Sequence, residues 1–230
     1  MNSLVGIGLY TPAEAQRLTG VRAGKIVRWL KGHELGGKRY APLWAPQVDL
    51  DDGKAYLGFR DLMEVRVADA FIAAGVPAMK VREGITLARE VVGVDRPLST
   101  DRFRTDGRDI FLRVVEKDEL GEEREKLLSL FKQQYAFSEI LAPSLRGIVF
   151  DQAGIPNLWR PLGKRGSIVV DPLRSFGQPL EERSGVPTKA LANAALIDGI
   201  DGAAAAFDVS PAAVRHALTF ENDLANRKAA

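Results

Sequence analysis

Apolar residues recur at helical spacing towards both ends of this chain, and alternation is confined to short runs in its middle. The clearest stretch is LYTPAEAQRLTGVRAGKIVRWLKG, Leu9 to Gly32. Thr11, Pro12 and Glu14 form a capping box with proline at the first helical position, so a helix starts there. Ala15 and Leu18 give it an apolar stripe, and Thr19-Gly20-Val21 breaks it in a tight turn. A second helix, roughly Ala23 to Leu30, carries Ile26, Val27 and Leu30 on one side and Lys25 and Arg28 on the other, with Arg22 and Lys31 flanking its ends. One face suits a small core and the other an anionic groove, the layout of a helix-turn-helix. An ordinary helical corner with solvated charges would share the pattern.

Beyond it, residues 33–57 are rich in Gly, Pro and aromatics, with Gly36-Gly37 and an Asp52-Gly53 turn signal. Tyr56-Leu57 reads as a returning strand, which makes the stretch a candidate wing with Lys38 and Arg39 near its tip. Phe59 to Ala74 is a helix by the spacing of Phe59, Leu62, Met63, Val67 and Phe71, and Pro77 starts another through Val81, Ile85, Ala88 and Val92. Phe103 to Val115 reads as a hairpin around Asp106-Gly107, with Ile110, Leu112 and Val114 alternating. Leu127, Leu128 and Phe131 predict a further helix, and Phe137, Ile140 and Leu141 a short one ending before Pro143. Gly147–Phe150, Asn157–Arg160 and Ser167–Val170 are strand candidates.

From Pro187 the pattern is helical again. One helix holds Leu191, Ala194, Ala195 and Ile197 and stops at Gly199; Asp201 caps a short one through Phe207. Ser210-Pro211 opens a third, with Arg215, His216, Thr219 and Asn222 outward. The chain therefore reads as α+β, mostly α. Residues 1–98 form a winged helix-turn-helix, 99–175 a small mixed middle region suited to dimerisation, and 176–230 a trihelical unit.

Charge sharpens this picture. The 32 basic and 30 acidic residues nearly cancel, but residues 1–46 hold seven basic side chains against Glu14 and Glu34 alone. Attraction to phosphate is thus expected from the N-terminal end. There is no cysteine, which excludes disulfides and thiol chemistry and suits a reducing compartment. Neither a signal-peptide pattern nor a long uncharged apolar run is evident, so a cytoplasmic protein is expected. The two histidines, His33 and His216, lie far apart, and no metal-ligand spacing, phosphate-binding loop or dinucleotide motif occurs. Neither an enzyme nor a cofactor is expected.

Leu9 to Leu30, the wing-like stretch and FRDLMEVRVADAFIAAGVPAMKVREG (Phe59–Gly84) resemble, in order, the elements of a MerR-type winged helix domain. Two features depart from that family: the 103–115 hairpin replaces its long dimerisation helix, and no Cys or His metal site is present. The last third, through Asp171-Pro172, Gly177, Pro179, Gly185, Val186, Pro187 and Thr188, is similar to a small helical domain found in antitoxins of VapBC-like pairs. That domain commonly shows Gly-Thr-Arg where this chain has Ser184 to Thr188. The arrangement resembles the longer VapB-type antitoxins. The resemblance implies a homodimer that binds its own operator DNA and masks a PIN-domain ribonuclease toxin. It also implies a basic side chain placed among the toxin's carboxylates, for which Arg183, Arg227 and Lys228 are candidates. Operator contact falls to Arg22, Lys25, Arg28, Lys31, Lys38 and Arg39. A stand-alone regulator without a toxin, or a protein-binding adaptor, fits the same residues.

Overall fold

The computed structural model describes residues 6–116 and 121–229. Helix α1 (Pro12–Thr19) opens on the expected capping box: the Thr11 hydroxyl accepts the Glu14 N–H at 3.2 Å, and the Glu14 carboxylate accepts the Thr11 N–H at 2.8 Å. Gly20 ends it with φ of 82°, a left-handed conformation that glycine adopts without steric penalty. Helix α2 (Ala23–Lys31) buries Ile26, Trp29 and Leu30. Strands β1 (His33–Leu35) and β2 (Lys38–Tyr40) then form an antiparallel hairpin. Its turn is Gly36-Gly37, with φ of 58° and 74°, the pair of positive values that a two-residue turn matching strand twist requires. The hairpin is therefore shorter than the pattern of residues 33–57 predicts. Asp52 instead closes a local turn on the Lys54 N–H and Tyr56 hydroxyl, and Leu57 pairs with Tyr10 in a lone bridge.

Five helices follow: α3 (Phe59–Ala73), α4 (Ala78–Val92), α5 (Asp101–Glu116), α6 (Glu122–Lys132) and α7 (Gln134–Leu145). The expected 103–115 hairpin is thus wrong; the segment is helical. Phe103, Gly107, Ile110, Phe111 and Val114 are buried, a helical spacing that outweighs the alternation of the last few residues. Gly107 serves close packing rather than a turn, because a Cβ there would stand 2.9 Å from both Phe103 and Phe137. Phe71, Phe103, Phe111, Phe131 and Phe137 join α3, α5, α6 and α7 in one cluster, with Phe71 and Phe111 stacked at 4.7 Å. Aromatic pairs of this kind add about 0.5–1.5 kcal/mol each beyond their buried area. Helix α7 also runs past its expected end, through Pro143 to Leu145, since a proline in the last turn removes a single helical hydrogen bond.

Helix α3 is enclosed on all sides, so two of its acids lie in the core. Asp61 pairs with Arg96 and accepts the N–H groups of Gln47 and Gly58 at 2.7 and 2.9 Å. Glu64 accepts the backbone N–H groups of Leu98 and Ser99, both at 3.0 Å. Burial outweighs these hydrogen bonds and the attraction of the nearby Arg96 charge and pushes its pKa up to about 7.

The three expected strands appear as β3 (Ile148–Phe150), β4 (Pro156–Trp159) and β5 (Ile168–Val170). A fourth, β6 (Pro179–Glu181), completes an antiparallel meander with Val170 opposite Pro179 and Ile168 opposite Glu181. The sheet therefore continues across residue 175. Helix α8 (Thr188–Phe207) is broken at Gly199, whose φ of 75° and ψ of 174° are not helical. The expected stop at Gly199 and the short helix from Asp201 through Phe207 are both seen, as the two arms of α8. Helix α9 (Pro211–Ala229) starts where expected, with the Ser210 hydroxyl accepting the Ala213 N–H at 3.1 Å. By length and composition α8 could cross a membrane; here Leu191, Ala203 and Ala204 are buried in the core shared with Val214, Ala217 and Phe220 of α9. The two ends of the chain meet where Arg17 of α1 pairs with Glu221 of α9 at 2.9 Å, and Glu221 also accepts the Thr188 hydroxyl.

Candidate nucleic-acid interface

The apolar side of α2 faces the core, which leaves its cations outward. Arg22 precedes its first turn and Arg28 lies six residues on; both are exposed, and among the described residues neither side chain has a partner. Lys25, three residues before Arg28 and beside it at the groove, is half-buried. Its ammonium lies 2.7 Å from Asp69 of α3 and 5.0 Å from the Trp29 ring centroid. In the free protein its charge is therefore already answered. Asp69 is legible in the sequence only as one more polar residue of α3, and no local signal marks it as the partner of Lys25.

The β1–β2 hairpin stands beside this face. Lys25, Arg28, Leu35, Tyr40, Met79 and Arg82 line a groove of about 660 Å³ between α2, the hairpin and the start of α4. The hairpin side of that groove is braced by the stack of His33 on Tyr40, with ring centroids 4.9 Å apart, and by the Arg82 guanidinium donating to the Ala41 carbonyl. Lys38 is exposed, and its ammonium lies 5.5 Å over the Tyr40 ring. Alternation along β2 turns Arg39 to the other side of the hairpin, opposite Glu34. Lys31 points away from the groove and donates to the Gly53 carbonyl.

The structure thus brings Lys25 and Arg28 to the groove with Lys38 over its Tyr40 wall, leaves Arg22 exposed at the start of α2, sets Arg39 on the hairpin's reverse side and takes Lys31 elsewhere. Exposed guanidinium groups on a protruding helix, flanked by a cationic hairpin, can contact phosphates or base edges of a duplex. Of the residues predicted to meet a toxin, Arg183 is exposed on the turn after β6. Arg227 and Lys228 fall within α9, and their side chains lie outside the described residues.

No family model matches the chain. It is similar over 195 residues, with 29% identity, to a Mycobacterium tuberculosis (strain ATCC 25618 / H37Rv) protein named "Putative antitoxin VapB45", covering 78% of this chain and 79% of that one. This bears out the resemblance to VapB-type antitoxins. The crystal structure of Rv2018 from Mycobacterium tuberculosis superimposes with a TM-score of 0.73 at 27% identity, over 93% of this chain and 99% of that one.

Proposed function

We propose, with kinship to a VapB-type antitoxin as the premise, that the protein is the antitoxin of a type II pair. In this reading it works in the cytoplasm, neutralises a ribonuclease toxin without catalysing a reaction itself, and represses its own operon. The observation that carries the DNA-binding part is the exposed, unpartnered pair Arg22 and Arg28 on α2 beside the β1–β2 hairpin. Helix α2 enters the major groove as the recognition helix of a winged helix-turn-helix. Arg22 and Arg28 meet phosphates or base edges, and the hairpin lies along the backbone as a wing through Lys38. Lys25 holds α2 against α3 through Asp69. Two copies place their recognition helices about one helical turn of DNA apart.

Fluorescence anisotropy on the DNA upstream of the gene, at two salt concentrations, tests the assignment. Wild type should bind with steep salt dependence. Arg22→Ala/Arg28→Ala should bind at least ~10-fold more weakly, with its salt slope reduced by about two. Affinity unchanged in that variant would remove α2 as the reader. Co-purification with the product of the neighbouring toxin gene tests the antitoxin half separately.

A further inference from the structure

A second groove opens at the start of α2, whereas the hairpin follows the end of that helix. Thr19, Val21, Asp69, Arg146, Trp159 and Pro161 line a space of about 390 Å³ between the α1–α2 turn, α3, the end of α7 and β4. It adjoins the first groove, because Asp69 on its wall holds Lys25, which lines the other, at 2.7 Å. Arg66 of α3 braces the far side. Its guanidinium lies 4.3 Å over the Trp159 ring and donates to the Arg146 carbonyl at 3.4 Å. Trp159 is buried, so packing within the chain sets this wall.

Charge at the groove is one-sided once internal pairs are set aside. Asp69, the acid that lines it, is committed to Lys25. Arg146 is exposed, and among the described residues its guanidinium has no partner. From Pro161 the chain runs into the β4–β5 turn, where Lys164 and Arg165 are exposed and equally unpartnered. Glu182, whose N–H donates to the Ser167 carbonyl at the end of that turn, is held by Arg160. On the α1–α2 side, Arg22 follows Val21 and is likewise free. Three separate segments thus bring uncommitted cations to the groove or to the turn that leaves it.

We infer that this groove and the β4–β5 turn hold the second phosphate backbone of the duplex that α2 reads, through Arg146, Lys164 and Arg165. The inference rests on the DNA-binding reading above. A helix of nine residues is about 13 Å long, close to the major groove's width of about 12 Å. Its two ends therefore come near the two backbones that border the groove. The hairpin with Lys38 serves one of them, and the second groove serves the other. Cations spread over three segments suit a polyanion whose charge repeats along its length; a compact cluster of carboxylates needs no such spread. Phosphate contacts add affinity and fix register without reading sequence. Arg66 already fixes the Arg146 backbone, which lowers the cost of ordering it on binding.

Fluorescence anisotropy with the full-length protein tests this, on the duplex upstream of the gene and on a scrambled duplex of equal length, each at two salt concentrations. Arg146→Ala/Lys164→Ala/Arg165→Ala should keep the wild-type thermal midpoint, since all three side chains are exposed. It should bind the upstream duplex at least ~10-fold more weakly, with the salt slope reduced by about three. The scrambled duplex should lose affinity by the same factor, as phosphate contacts require. If Arg22→Ala/Arg28→Ala weakens binding but the triple variant stays within about twofold of wild type, the inference is overturned although α2 remains the reader. Loss of the co-purifying toxin in that same variant would then assign the surface to the toxin. A loss confined to the upstream duplex would mean base contacts and would also overturn it. If wild type binds neither duplex, or Arg22→Ala/Arg28→Ala binds as wild type does, the reading of α2 falls and takes the inference with it.

Discussion

Two helical corners, one at each end of the chain, are built by the same local rules and present opposite surfaces. Helices α1 and α2 turn at Gly20, and α8 and α9 turn at Asp208, each in the left-handed region with φ of 82° and 51°. Each pair buries an apolar stripe, and α1 and α9 open on side-chain caps at Thr11 and Ser210. Outward, α2 shows Arg22 and Arg28, whereas α8 shows Leu196 and Ile197, 75% and 81% exposed, with Asp198 and Asp201 beside them. A corner motif by itself is therefore silent about its ligand. The residues left over after packing decide whether it meets phosphate or another protein surface. Arg17 and Glu221 lock the two corners together, so each is also part of the other's scaffold.

The largest expected effect lies under the N-terminal corner, where α1 packs on α3 and α3 carries Glu64. Its folded pKa is raised to about 7 and therefore exceeds the unfolded carboxylate value. Its contribution is present below about pH 4 and is lost as pH climbs towards and through 7. Wild type should be less stable at pH 8 than at pH 5 by about 3 kcal/mol from this group, and Glu64→Gln should flatten the difference in urea melts. A pH-independent gap between the two proteins would remove Glu64 as the cause.

Next in size is the lock itself. Glu221→Ala strands Arg17 and leaves the Thr188 hydroxyl with the Pro179 carbonyl alone, and should cost about 2 kcal/mol, a fall of about 4–8 °C in thermal midpoint. An unchanged midpoint would mean that the corners are held by apolar packing alone. The surfaces are separated by a paired substitution. Arg28→Ala should lower operator affinity by about 1–2 kcal/mol, while Arg215→Ala, exposed on α9, should leave it within error; the reverse result in the anisotropy assay would move the reader to the C-terminal corner. The smallest contrast concerns the joints. Gly20→Ala should destabilise by about 1 kcal/mol because alanine resists positive φ, whereas Asp208→Gly should shift stability by no more than about 0.5 kcal/mol, both read from denaturant midpoints.

Much of the architecture was legible because its determinants are local. The capping box at Thr11, the stripes of α3 and α4, the three strands and the Ser210-Pro211 start all follow from neighbours within a few residues. The hairpin expected at 103–115 fails for an instructive reason. Asp106-Gly107 satisfies the rule for a turn, yet Gly107 is selected by Phe137, which lies 30 positions further along the chain. The basic face of α2 was likewise legible as spacing, but the commitment of Lys25 to Asp69 was not, because that partner belongs to another helix.

Local pattern alone therefore determined where most helices begin, which of their faces are apolar, and that net positive charge gathers at the N-terminal end. Only the tertiary structure decided which of those cations remain free, that burial governs Glu64 in the core, and that Leu173 and Phe176 stand exposed on a clamped loop. Capping, periodicity and turn preference act over one or two turns of chain. Burial, ion pairing and strain depend on atoms brought together from distant positions, such as Arg17 and Glu221, and no window along the sequence contains both.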